Sequence, residues 1–243
     1  MTLKLSVLSD IHFELHADKG KSFIKSLDPA DVDVLILAGD IINAFHPEPL
    51  YRLCEYFKDS KVLLTAGNHE YYHRSVQDVL TQLNSLSAPN LTVLNKSIVE
   101  IAGHRFLGCT LWFCEKDVLR AGLSTSTFSD FMAINGFRNW VFGEHEESVQ
   151  WLKNNIKIGD VVITHHLPSY KCVAPQFQTS SSNCFFASHQ DEIIYTCEPK
   201  LWVFGHSHNS TNINLHRTRI LSNPFGYPHQ RNPDFIDKFI IEI

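Results

Sequence analysis

Five short apolar runs, Leu3 to Ser9, Val32 to Ala38, Val62 to Ala66, Val161 to Thr164 and Leu201 to Phe204, each give way at once to small or hydrogen-bonding residues. Runs of four to seven residues rich in Val, Ile and Leu suit strands covered on both faces. Between the early runs, Val76, Val79, Leu80, Leu83 and Leu86 recur three and four apart, the apolar stripe of an amphipathic helix. Strand alternating with helix predicts an α/β fold. From Leu91 to Trp112 the pattern changes to strands alone, Thr92 to Leu94, Ser97 to Ile101 and Arg105 to Leu111, with Ala102-Gly103 as a turn. The last third repeats this with Asn212 to His216, Arg219 to Ser222 and Phe235 to Ile243, which would supply a second, mixed sheet packed on the first. Glu144 to Ile156 is a predicted helix leading into the strand at Val161. Two segments, the aromatic-rich Phe113 to Trp140 and the Ser-rich Tyr170 to Phe186, carry no assignable pattern. Connections that long are either binding loops and lids or excursions over a sheet face.

The ends of the five runs carry the chemistry. In order they deliver Asp10 and His12, Gly39-Asp40, Gly67-Asn68-His69-Glu70, His165-His166, and Gly205-His206-Ser207-His208. The rim of a parallel sheet is where open α/β folds bind ligands. Each block alone is weak: Asp-x-His is common, and a turn with a helix cap would explain Asn68, though not His69 or Glu70. Their shared position at five strand ends is the signal. Imidazole, carboxylate and amide oxygen together suit first-row divalent ions such as Mn²⁺, Fe²⁺ or Zn²⁺. Seven donors are too many for one tetrahedral zinc, whereas two ions sharing a bridging carboxylate, roughly 3.5 to 4 Å apart, fit them.

At 243 residues with 44% hydrophobic content, one compact domain spanning 1–243 is expected. A net charge of −5 and a pI near 6.3 argue against an open basic surface, so nucleic acid is not expected as a partner. The longest apolar runs are strand-sized, well short of the roughly 18 to 20 residues that cross a bilayer. The N-terminus runs into Asp10 without a signal-peptide pattern, so a cytoplasmic location and no membrane partner are expected. The six cysteines (54, 109, 114, 172, 184 and 197) read as reduced, buried thiols.

Taken in order, Asp10-x-His12, Gly39-Asp40, Gly67-Asn68-His69-Glu70, His165 and Gly205-His-Ser-His208 resemble the five signature blocks of the calcineurin-like metallophosphoesterase superfamily, spread over most of the chain. The resemblance implies a four-layer α/β/β/α sandwich of two mixed sheets flanked by helices. It also implies that Asp10, His12 and His208 hold one metal, that Asn68, His165 and His206 hold the other, and that Asp40 bridges them. His166 competes for the fourth block, where the first residue beyond the strand, His165, matches the placement in the others. By the same resemblance, a hydroxide held between the ions attacks phosphorus, His69 acts as general acid, and Asn68 and His69 contact substrate.

Departures from the phosphoprotein phosphatase branch narrow the reading. Its two phosphate-gripping arginines are absent, and the aspartate that would pair with the acid histidine is Asn43, an amide that would orient His69 while stabilising its charged form less. The resemblance is to the bacterial-type group of small-molecule phosphoesterases, and Asn223-Pro224-Phe225-Gly226-Tyr227 resembles a segment found there. The expected activity is metal-dependent hydrolysis of phosphodiester or phosphomonoester bonds in a small, nucleotide-like substrate; a catalytically silent interaction scaffold is the alternative. Phe113, Phe128, Phe131, Phe137 and Trp140 are candidates to stack on a base, with core packing the competing use.

Overall fold

A computed structural model describes residues 2–243. Its first sheet holds β1 (Lys4–Leu8), β2 (Val34–Ala38), β3 (Lys61–Thr65) and β4 (Leu91–Leu94) in parallel, with the final strand, β13 (Ile240–Glu242), antiparallel on the β1 edge. The second sheet has the order β5 (Ser97–Ile101), β6 (His104–Cys109), β7 (Val161–Thr164), β8 (Leu201–Val203), β10 (Thr218–Ser222) and β9 (Thr211–Leu215). Its four central strands are parallel and its two edge strands antiparallel. A small hairpin, β11 (Gly226–Tyr227) with β12 (Gln230–Arg231), stands apart.

The helices are α1 (Lys21–Ser26), α2 (Glu48–Tyr56), α3 (Val76–Ser85), α4 (Glu115–Ala121), α5 (Asp130–Ala133), α6 (Val141–Asn155) and α7 (Asp191–Cys197). Side chains alternate across a strand, and that explains why the runs are apolar throughout. Leu5, Val7, Val34, Ile36 and Leu63 point toward the other sheet and meet Phe106, Val161, Ile163, Leu201 and Val203. Their neighbours Leu8, Leu35, Leu37, Val62 and Leu64 point the other way, onto α1, α2 and α3. On the far side Leu107, Val162, Trp202 and Ile220 pack under α6 and α7. The result is the expected helix–sheet–sheet–helix sandwich, with the C-terminal ends of β1, β2, β3, β7 and β8 gathered along one rim. Among the described residues, no helix is long and apolar enough to cross a membrane.

Several boundaries differ from the sequence reading, for physical reasons. In Phe235 to Ile243 only Ile240–Glu242 pairs as a strand; Phe235 instead turns inward against Phe23 and Phe225, with Arg231 over its ring. The strand expected to reach Leu111 stops at Cys109, because Leu111 and Trp112 take left-handed backbone angles (φ 75° and 54°). The unassigned 113–140 stretch folds into α4, α5 and short turns, and 170–186 into three 3-10 turns. Phe113 and Phe137 are core residues and Phe131 and Trp140 pack against that core, so of the five stacking candidates Phe128 alone lines the main cavity. Four cysteines are buried, as expected, but Cys114 and Cys197 are half-buried.

Candidate metal centre

The rim residues reach the site because the chain turns sharply where each strand stops. Asp10, His12, Asp40, His206 and His208 all adopt left-handed backbone angles, with φ between 52° and 68°. Each such residue costs about 1–3 kcal/mol and persists only where its surroundings fix it. Here they do: Asp10 N donates to the Gly39 carbonyl, His12 N to the Asp40 carbonyl, and His206 N to both oxygens of Asp10, at 2.9 and 3.1 Å. A Cβ at Gly39 would strike the His165 ring, and one at Gly67 would strike Asp40 Oδ1. Glycine before Asp40 and before Asn68 is what lets the two loops close on each other.

All seven expected donors come together. Nitrogen and oxygen atoms of Asp10, His12 and His208 lie within 4.8 Å of one another, as do those of Asp40, His165 and His206. His12 Nε2 is 3.2 Å from His208 Nε2 and 3.8 Å from Asp40 Oδ2; His165 Nε2 is 3.0 Å from Asn68 Oδ1 and 3.5 Å from Asp40 Oδ1. Asp40 therefore touches both groups. His166, the competitor to His165, turns aside: its Nδ1 approaches the Thr110 carbonyl and its ring packs beside Trp112 and Phe113. His12, Asp40 and His69 form a third overlapping group.

Electrostatics fit a bound cation. Asp10 and Asp40 are 0% and 2% exposed, and buried carboxylates demand a nearby positive charge. His165 Nδ1 donates to the Ala38 carbonyl at 2.9 Å, which turns Nε2 toward Asp40 and Asn68. Burial and neighbouring histidines hold His206 well below the usual imidazole range, so it keeps a lone pair, and its buried Nε2 has no hydrogen-bond partner. A divalent ion matches that orphaned nitrogen and the two carboxylates.

The supporting residues were only partly legible in the sequence. Glu70, left unexplained above, is fully buried and accepts from four backbone N–H groups, those of Asp40, Ile41, Ile42 and Gly67. It clamps the Asp40 and Asn68 loops together; burial and then the Asp40 charge push its pKa up to about 7, against the pull of those donors. Asp130, from α5, accepts from Asn68 Nδ2 at 3.0 Å and from Tyr72 OH at 2.7 Å. The Asn68 amide is thereby oriented with its oxygen toward His165. Tyr227, from the Asn-Pro-Phe-Gly-Tyr segment, sets its ring 4.7 Å from His12 and 4.6 Å from His208.

The expectation for Asn43 fails. Its amide reaches the Tyr72 carbonyl and its Oδ1 accepts from Phe45 N, so it leaves His69 alone. The partner of His69 is Glu14, whose Oε1 accepts from His69 Nδ1 at 3.1 Å and also lies 3.3 Å from His12 Nδ1. Burial works against protonation of His69, but the charges of Asp40 and Glu14 outweigh it and raise its pKa to about 9. Tyr72 stacks on the same ring at 4.2 Å. The available signal was the spacing Asp10-x-His12-x-Glu14, which puts a carboxylate two residues beyond a donor histidine.

Two sheets face to face thus gather acids and imidazoles from their strand ends at one rim. The calcineurin-like phosphoesterase model matches residues 3–210, and the chain belongs to that family. It is accordingly a phosphoester hydrolase of a family that works with divalent metal ions. The "Uncharacterized protein L509" of Acanthamoeba polyphaga mimivirus is 28% identical over 270 aligned positions, covering 94% of this chain and 92% of that protein. The crystal structure of a phosphopantetheinyl hydrolase from Mycobacterium tuberculosis superposes with a TM-score of 0.70 at 12% identity, covering 99% of this chain and 95% of that one, a likeness of fold.

Proposed function

We propose that this chain is a dinuclear-metal phosphoesterase acting on a small, nucleotide-like phosphodiester or phosphomonoester. Asp10, His12 and His208 would hold one ion, Asn68, His165 and His206 the other, and Asp40 both; Mn²⁺, Fe²⁺ and Zn²⁺ all suit this donor set. The single observation that carries the reading is the meeting of these side chains as two groups joined at Asp40. Ions bound there would supply charge neutralisation for the phosphoryl oxygens and a water acidic enough to attack near neutral pH.

The chain's own residues do the rest. His69 lines the cavity beside Asp40 and Asn68. With Nδ1–H donated to Glu14, its Nε2–H is the proton available to the departing oxygen as that oxygen takes the electron pair of the breaking phosphorus bond. The water oxygen ends on phosphorus. Stacked Tyr72 limits rotation of the His69 ring, and Asp130 keeps the Asn68 oxygen facing the centre. A single domain over 1–243 is part of the same proposal, in keeping with donors drawn from Asp10 through His208.

Protein loaded with Mn²⁺ is expected to hydrolyse bis-p-nitrophenyl phosphate, p-nitrophenyl phosphate or members of a panel of cyclic and linear nucleotides and a phosphopantetheinyl ester. Absence of turnover on all of them, with two equivalents of metal bound, would refute the reading.

A further inference from the structure

The donor cluster opens into a cavity of about 700 Å³, bounded by the 170–186 segment, the loop after β8, Phe128 and the β11–β12 hairpin. Apart from Asp40 and the histidines of the centre, its lining among the described residues carries one basic side chain, Arg231, and one further acid, Asp234. Arg231 is already engaged. Its guanidinium lies over the rings of Phe225 and Phe235, at 5.3 and 5.4 Å, and pairs with both oxygens of Asp237 at 3.3 and 3.4 Å. Lys171, on the 170–186 segment, is tied to Asp191 at 2.8 Å and lies outside the lining.

What remains is neutral. Phe128, Phe177 and Phe186 supply apolar surface, and Asn183, Asn209 and Gln176 supply amides. Gln176 donates to Asn209 Oδ1 at 3.1 Å, and Asn183 Nδ2 to the Phe177 carbonyl at 2.8 Å, so these amides are held in place. A phosphate entering this space away from the metal centre would meet the Asp234 carboxylate and, with Arg231 paired to Asp237, no unpaired cation among the described residues to offset its charge. A neutral organic group with hydroxyls or amides meets no such penalty.

We infer that this cavity selects esters bearing a single phosphate on an uncharged amphiphilic group and discriminates against bisphosphate and polyphosphate substrates. The inference rests on the phosphoesterase reading above and narrows it. It separates thymidine 5′-(p-nitrophenyl phosphate) from its 3′-phosphorylated derivative, a pair that differs by one remote phosphate and shares one leaving group.

The experiment measures kcat/KM for both esters at constant ionic strength, for the metal-loaded wild type and for Ser182→Lys and Gln230→Lys, which put a cation into the lining from two separate segments. The 3′-phosphorylated ester is expected to be the poorer substrate by about tenfold or more, a difference of about 1.4 kcal/mol. At least one lysine variant is expected to narrow that ratio severalfold. Equal rates for the two esters overturn the inference while turnover of bis-p-nitrophenyl phosphate leaves the phosphoesterase reading standing. A gap that persists in both variants also overturns it, since the missing cation is then not its cause. No turnover of any ester sinks the phosphoesterase reading and this inference with it.

Discussion

Replacing Glu70 with Gln tests whether the two central loops are held by one buried carboxylate. Oε1 accepts from Ile41 N at 2.7 Å and Ile42 N at 3.1 Å, while Oε2 accepts from Asp40 N at 3.0 Å and Gly67 N at 2.6 Å. Glutamine is nearly isosteric but presents one oxygen and one NH2. Whichever way it turns, two buried N–H donors lose their acceptor and face another donor. An unmet buried donor costs about 1–3 kcal/mol, so the pair should cost about 2–6 kcal/mol. Against a total stability of about 5–15 kcal/mol the variant should fold, with reduced margin. The assay is urea unfolding of chelator-treated protein, so that metal binding to the native state does not contribute. For a chain of this size a loss of about 3 kcal/mol corresponds to a fall of about 6–12 °C in Tm. A change below about 0.5 kcal/mol would refute the clamp.

Glu14→Gln should retain both metal ions and lower kcat, most for esters with poor leaving groups, because the His69 ring loses its charged anchor; His69→Ala sets the limit at about 10²–10⁴-fold. Equal losses for good and poor leaving groups would argue against that role. Asp130→Ala frees the Asn68 amide to turn, and calorimetric titration with Mn²⁺ should show one of two binding steps weakened by about 10–100-fold. Two unaltered steps would contradict it. Burial pushes the thiols of Cys54 and Cys109 up to about 12, and the reactive thiolate fraction rises with pH. At pH 8 it is about one part in ten thousand, so a thiol reagent should modify half-buried Cys114 and Cys197 first; rapid labelling of Cys54 or Cys109 would be inconsistent with the packing around them.

The strands that matter most could be read from the chain because they are covered on both faces, which makes them continuous apolar runs with abrupt ends. The same ends exposed Asp10, Asp40, Asn68, His165 and His206 as candidates, and the fold brings all of them to one rim. What could not be read depends on direction. Glu14 lies in a 3-10 turn (Phe13–Leu15), and only the left-handed angle at His12 swings that turn so that Glu14 meets His69. Helix α5 has four residues, too short to nucleate alone, and it exists because it packs, which is why Asp130 gave no signal. Phe235 to Ile243 mimicked a strand by composition, yet its aromatic end is taken by Phe23 and Phe225.

The most direct measurement is anomalous X-ray diffraction from crystals grown with Mn²⁺, recorded on both sides of the manganese edge. Two strong peaks should flank Asp40, one among Asp10, His12 and His208, the other among Asn68, His165 and His206. A single peak, or peaks remote from Asp40, would contradict a shared two-ion centre.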